Sequence, residues 1–254
     1  MSWAARRRLI ILLLIGAVVV AFLSVVAIAT FTKVPSCTDG AQNQGEVGVD
    51  CGGPCPYLCT ADELPPTVLF TKAISNAPGR TDVIALVENK NAAAAAKNVP
   101  YRVQLYGSDR TLVQEVSGTL DLPPGATQPV FIPGMASGKQ AVANAFFIID
   151  PAAPRWFSVT GDPRIMPLVS NVKQIGTLDA PRIEATLANK SVIELTSVEA
   201  VVFVRDENGS VIAASSTVVP RIPAGGQATA TFTWNSAFAG VPSSIEVAPL
   251  IPLP

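Results

Sequence analysis

Two patterns of apolar and polar positions divide the chain. Residues 9–31, LIILLLIGAVVVAFLSVVAIATF, carry no charge and are apolar at nearly every position. About 20 such residues, rising about 1.5 Å each, cross a hydrocarbon core of about 30 Å, and a helix there satisfies its own backbone hydrogen bonds. Beyond Pro66 the apolar residues alternate instead. Ile183, Ala185 and Leu187 interleave with Arg182, Glu184 and Thr186, and Val198, Ala200, Val202 and Val204 mark the next segment. Asp206-Glu207-Asn208-Gly209 then turns the chain, with Asn208-Gly209 suited to the positive φ angles of a tight hairpin. Residues 211–219 return as its partner, and Ile222-Pro223-Ala224-Gly225-Gly226 makes another turn. Within 227–234, Ala228, Ala230, Phe232 and Trp234 alternate with threonines, and 244–248 closes the series. A period of two is the mark of half-buried strands.

The same course runs earlier in the chain, at an interval of about 100 residues. Ala85-Leu86-Val87-Glu88-Asn89-Lys90-Asn91 aligns with Ala185-Thr186-Leu187-Ala188-Asn189-Lys190-Ser191, and Leu122-Pro123-Pro124-Gly125 with Ile222-Pro223-Ala224-Gly225. Between them Val103-Gln104-Leu105-Tyr106-Gly107 answers Val202-Phe203-Val204-Arg205-Asp206, with a slip of one residue. In this first copy strands are expected at 68–73, 81–89, 100–106, 111–120, 127–132 and 143–149. The alanines at 92–96 have no apolar face and read as a surface loop. An interval of about 100 residues is too long for a solenoid and is the size of one sandwich domain. The predicted class is an all-β ectodomain of two antiparallel sandwiches, 66–160 and 161–254.

Charge gives the apolar run a direction. Arg6, Arg7 and Arg8 directly precede it, and basic residues beside a span resist translocation. The expectation is a cytoplasmic segment 1–8, a signal-anchor helix 9–31, and all later residues outside. A signal peptide cleaved after Ala29 competes, since Ala27-Ile28-Ala29 has the small-x-small form. Signal peptides, however, carry apolar regions of roughly 7–15 residues, and this run is longer. Without the three arginines the chain keeps 15 basic against 19 acidic residues, which leaves no basic field to attract nucleic acid. Histidine is absent, which removes the usual general base and excludes Ser-His-Asp and Cys-His catalysis. No enzyme activity and no small-molecule substrate are expected.

All four cysteines, Cys37, Cys51, Cys55 and Cys59, lie in the segment 32–65. Their even number, clustering and exported setting favour two disulfides, of which three pairings are open. Zinc competes, but the spacing lacks paired C-x2-C knuckles. Asp39, Asn43, Glu46 and Asp50, punctuated by Gly40, Gly45 and Gly48, form an oxygen-rich set. Calcium ligation and plain turn formation compete for it, and the spacing does not fit an EF-hand. No cofactor is otherwise expected.

At these residues the segment resembles a short motif of bacterial surface and secreted proteins. Cys37-Thr38-Asp39-Gly40, Asn43 and Glu46 lead into Val49-Asp50-Cys51-Gly52-Gly53-Pro54-Cys55. That resemblance implies export, and no activity travels with it. The two copies resemble the FxLYD-type bacterial domain, an immunoglobulin-like sandwich found in tandem on exported proteins. Leu105-Tyr106 keeps the Leu-Tyr pair, while Val103 stands for the phenylalanine and Gly107 for the aspartate; the second copy keeps Asp206. The resemblance implies tandem immunoglobulin-like domains and no particular ligand.

Other candidates carry less. Asn89 and Asn189 recur at one place and read as strand-ending structural residues, although Asn189-Lys190-Ser191 and Asn208-Gly209-Ser210 are formal glycosylation sequons. The run Gly134-Met135-Ala136-Ser137-Gly138-Lys139-Gln140 lacks the spacing and the hydroxyl of a phosphate loop. Trp156-Phe157 is expected at the junction of the two copies. The proline-rich ending after Ala248 is too short for a second span. The functional expectation is a single-pass protein of the bacterial cell membrane. It would display two binding modules to an envelope protein or glycan and meet lipid through its helix. The alternative is an accessory subunit of a secretion, pilus-like or transport complex.

Overall fold

The computed structural model describes residues 3–31, 35–77, 79–137 and 142–254. They form two compact units, Met1–Pro56 and Tyr57–Pro254. In the first, one helix, α1 (Trp3–Phe31), takes in the apolar run and begins one and a half turns before it. Its stretch Ala5–Ile28 is long and apolar enough to cross a membrane. Leu9, Leu12, Val20 and Phe22 stand exposed on different sides, so no face is reserved for a protein core. Such a helix is stable only in apolar surroundings, as a membrane span or an export signal. Residues 35–56 contain turns and one isolated bridge, Gly48 to Cys51.

The second unit is mostly strand. A 3-10 turn, Thr60–Asp62, precedes β1 (Thr67–Ala77), β2 (Arg80–Glu88), β3 (Ala94–Tyr106), β4 (Leu112–Leu122), β5 (Thr127–Ser137), β6 (Asn144–Ile149) and the short β7 (Phe157–Ser158). There follow β8 (Leu168–Gly176), β9 (Pro181–Ala188), β10 (Leu195–Arg205), β11 (Val211–Ile222), β12 (Gln227–Thr233) and β13 (Ser244–Leu250). All described pairings are antiparallel. The sheets run β1-β2-β5 and β4-β3-β6 in the first half, then β8-β9-β12 and β11-β10-β13 in the second. The pairing order therefore recurs strand for strand, with β7 added beside β3.

Each half closes on its own core. Val83, Ala85 and Val87 of β2 meet Val103 and Leu105 of β3. In the second half Ile183, Ala185 and Leu187 of β9 meet Ala200, Val202 and Val204 of β10. These are the alternating residues of the sequence pattern. A third cluster lies on the other faces of two of these sheets. Ile74 of β1 and Ile84 of β2 pack with Val201 and Phe203 of β10 and with Val211 and Ala214 of β11. Strands β2 and β10 are thus buried on both sides, and Ile84, Val201 and Phe203 expose 0%, 0% and 1% of their surface. A half-buried strand would leave Val201 and Phe203 in water. Here the two sandwiches join sheet to sheet through an apolar layer.

Three sequence expectations change in detail. The alanines at 92–96 are a surface loop only in part: Ala92 and Ala93 form an exposed turn, but Ala94, Ala95 and Ala96 begin β3 and are buried. Their small side chains let β7 come alongside, pairing Ala94 with Ser158 and Ala95 with Phe157. Trp156 is 1% exposed but packs in the first core, not at the junction. The backbone holds it there, since its carbonyl accepts from Leu58 N at 3.1 Å and Phe157 bridges Tyr57. At the β10–β11 turn only Gly209 adopts positive φ (75°). The Asp206 carboxylate accepts from Asn208 N and Ser210 N, each at 2.9 Å, and so sets a different turn from the two-residue hairpin. Strand β8, which the alternation did not announce, is an edge strand with its outer residues in water.

Candidate functional site

Disulfides cross-link the cysteine segment, and its carboxylates brace the turns between them through backbone N–H groups. Cys37 pairs with Cys55, Cys51 and Cys59 are also disulfide-bonded, and no described cysteine is free. The oxygen-rich residues face N–H groups. Asp50 accepts from Asp39 N (3.0 Å) and Gly40 N (2.9 Å). Asp39 accepts from Ser36 N and Ala41 N, and from the Asn43 amide at 2.9 Å. Glu46, buried, accepts from Asp50 N at 3.1 Å and from the Gln44 amide at 3.3 Å. Among the described residues a three-member cluster of metal-ligating types exists at Cys37, Glu46 and Cys55, but both of its sulfurs are spent in the disulfide. Glu46 Oε1 lies 3.0 Å from Cys55 Sγ, a contact without a proton because the sulfur is oxidised. The carboxylates are occupied as turn braces, with Asn43 Oδ1 buried and unpartnered beside them.

The recurring asparagines do matching work. Asn89 donates from Nδ2 to the carbonyls of Ala94 (2.8 Å) and Pro123 (2.7 Å) and accepts from Asn91 N at 2.9 Å. Asn189 donates to Ile193 O (2.7 Å), Ile222 O and Pro223 O and accepts from Ser191 N at 3.0 Å. Each ties the end of one strand to the Pro-x-Gly turn of another. In the run 134–140, Gly134 N donates to the buried Asp82 carboxylate, while residues 138–140 lie outside the described residues.

One concave site of the β-body lies where the two sandwiches meet. A cleft of about 410 Å³ opens between β4 and β5 on one side and β10 with the end of β13 on the other. A backbone bulge in β3 and a left-handed residue in β10 shape its two walls. Asn98 in β3 and Ser197 in β10 occupy corresponding places, and each has φ of 52°. Asn98 N donates to Asp121 Oδ1 at 2.9 Å, and Leu253 N donates to Asp121 Oδ2 at 2.8 Å. Leu253 is buried, so the segment after β13 is strapped across the first sandwich beside the cleft. Tyr101 stacks on Phe147 at 4.5 Å between ring centroids, and its tip lies over Gly118, where a Cβ would stand 2.5 Å from its hydroxyl. Lost hydration, then the charge of Glu199, pushes the Tyr101 hydroxyl above its ordinary pKa. Lost hydration likewise raises the Glu199 carboxyl. Sequence reading missed this site because its residues come from five separate segments.

No protein-family model matches the chain, and a search of curated proteins finds no match.

Proposed function

We propose that the protein is an extracytoplasmic interaction protein of the bacterial cell envelope, held by an uncleaved N-terminal helix and displaying two immunoglobulin-like sandwich modules. The observation that carries this reading is the order of parts: an all-round apolar helix, then a segment with every cysteine oxidised, then a β-body. Cystines of this kind persist in oxidising compartments. Arg6, Arg7 and Arg8 sit in the first turns of α1, where cations oppose the helix dipole. Helix stability therefore gives no reason for them, and retention on the cytoplasmic side does. Arg7 also lies 3.7 Å from the Trp3 ring, a pairing suited to the headgroup layer. The twofold recurrence of strand order supports the tandem-module reading.

Protease treatment of spheroplasts carrying the full chain with a cytoplasmic N-terminal tag tests it. The expected result is loss of the β-body with a protected, membrane-bound tag. A mature chain starting after Ala29 and washed off membranes would overturn the anchor. Crosslinking in intact membranes then separates display from membership of a fixed membrane complex.

A further inference from the structure

Elsewhere in the β-body, polar side chains pair with one another. Asp82 takes the Asn76 amide and the Arg80 guanidinium, and Asp162 holds Arg164 through three hydrogen bonds. The cleft between the sandwiches differs. It is lined by the exposed side chains of Asn98, Thr119, Ser197 and Glu199 and the half-buried ones of Tyr101 and Gln128, which are open to a ligand because none makes a hydrogen bond within the described residues. Convergent unpartnered groups over an apolar floor, here Val130, Phe131 and Leu250, at the seam of two rigid modules make a ligand site.

Charge and ring geometry select the ligand. Glu199 and Asp121 both line the cleft, and among the described residues no lysine or arginine does. Anions are therefore disfavoured. Both oxygens of Asp121 are taken by backbone N–H groups, so it lends charge, whereas the Glu199 carboxylate is open. A sugar would need a free aromatic face, but Tyr101 is covered by Phe147 and by the backbone at Gly118. A cationic N–H donor meets what is present. Glu199 would accept a charge-assisted hydrogen bond, and the hydroxyl and amide oxygens would take the remaining protons.

We propose that the cleft between the two sandwiches binds a primary ammonium or guanidinium group, with Glu199 as its counter-ion and Tyr101 Oη, Gln128 and Asn98 as its hydrogen-bond acceptors. The group belongs either to a free amine or to a lysine or arginine side chain presented by a partner peptide. The inference rests on the cleft alone and not on the anchored-display reading.

Calorimetric titration of the full chain in dodecyl maltoside micelles tests it. The probes are cadaverine, agmatine and acetyl-Gly-Lys-Gly-amide, with the Nε-acetyllysine tripeptide as the neutral control. Saturable binding of at least one cation is expected, with none for the neutral control. A preference for the tripeptide identifies a peptide source, and a preference for the diamines a free amine. Glu199→Gln, a change at an exposed side chain, is expected to weaken binding about tenfold or more. Tyr101→Phe keeps the stack on Phe147 and is expected to weaken it severalfold. Affinity should fall as pH drops, because Glu199, whose carboxyl is raised by lost hydration, takes up a proton while Tyr101 stays neutral. Absence of saturable binding, equal binding of the neutral control, or unchanged affinity in Glu199→Gln would overturn the proposal.

Discussion

Asn189 has no exposed surface, and its side chain serves five hydrogen bonds, three donated to carbonyls and two accepted from Ser191. That occupation also closes its sequon to glycosylation, since the amide nitrogen is inside the fold. Replacing it leaves buried carbonyls unpaired, so Asn189→Ala is expected to lose about 2–4 kcal/mol in urea unfolding. Asn189→Asp should lose at least as much, because a carboxylate cannot donate to those carbonyls. Glu199 carries the opposite kind of effect. Its folded pKa is raised above the ordinary 4.5, so its stabilising contribution is present below that value and is lost as pH rises through the folded one. Glu199→Gln should therefore raise the melting temperature at pH 7 and lose that advantage below about pH 4.5, as scanning calorimetry at both values would show. The asparagines were legible from the sequence because they recur in register. Glu199 was not, since nothing local marks one acidic residue in a strand as facing a cleft.

Strand β10 carries the clearest difference between pattern and packing. Its alternate residues Val198, Ala200, Val202 and Val204 fill the second core as the period of two implies, yet Val201 and Phe203 between them are buried as well. The run Val201-Val202-Phe203-Val204 and its counterpart Val83-Ile84-Ala85 held that information, because unbroken apolar runs belong to strands covered on both faces. The alternation alone left the second face unread. Phe203→Ala is expected to cost about 3–5 kcal/mol, comparable with Phe232→Ala in the core. Unlike Phe232→Ala, it should also speed proteolytic cutting in the connection between β7 and β8. On β9 the place of Ile84 is taken by Glu184, which pairs with Arg182 at 2.8 Å and Lys173 at 3.5 Å. The outer face of that sheet is therefore polar and carries no matching apolar layer.

At the scale of the whole molecule, the two units hold together by different means. Few large apolar side chains are buried between residues 35 and 56, so cross-links supply order there, whereas the β-body has its own cores. Closing a loop of sequence separation 18 restricts the unfolded chain by about 3 kcal/mol. Reduction should open the region between Cys37 and Cys59 to protease while the far-ultraviolet circular dichroism of the strands persists. Retention of the whole chain's protease resistance under reductant would contradict that division. The sequence by itself determined the apolar helix, the clustering of the cysteines, the strand period and the recurrence at about 100 residues. Each of these is a local or periodic property of side chains along one chain. Only the tertiary structure decided which second faces are covered, where Trp156 lies, and that Asn98, Tyr101 and Glu199 share a cleft. The covered faces and the cleft depend on sheets meeting face to face, where residues about 100 positions apart become neighbours, and the place of Trp156 depends on backbone pairing with the chain near Leu58.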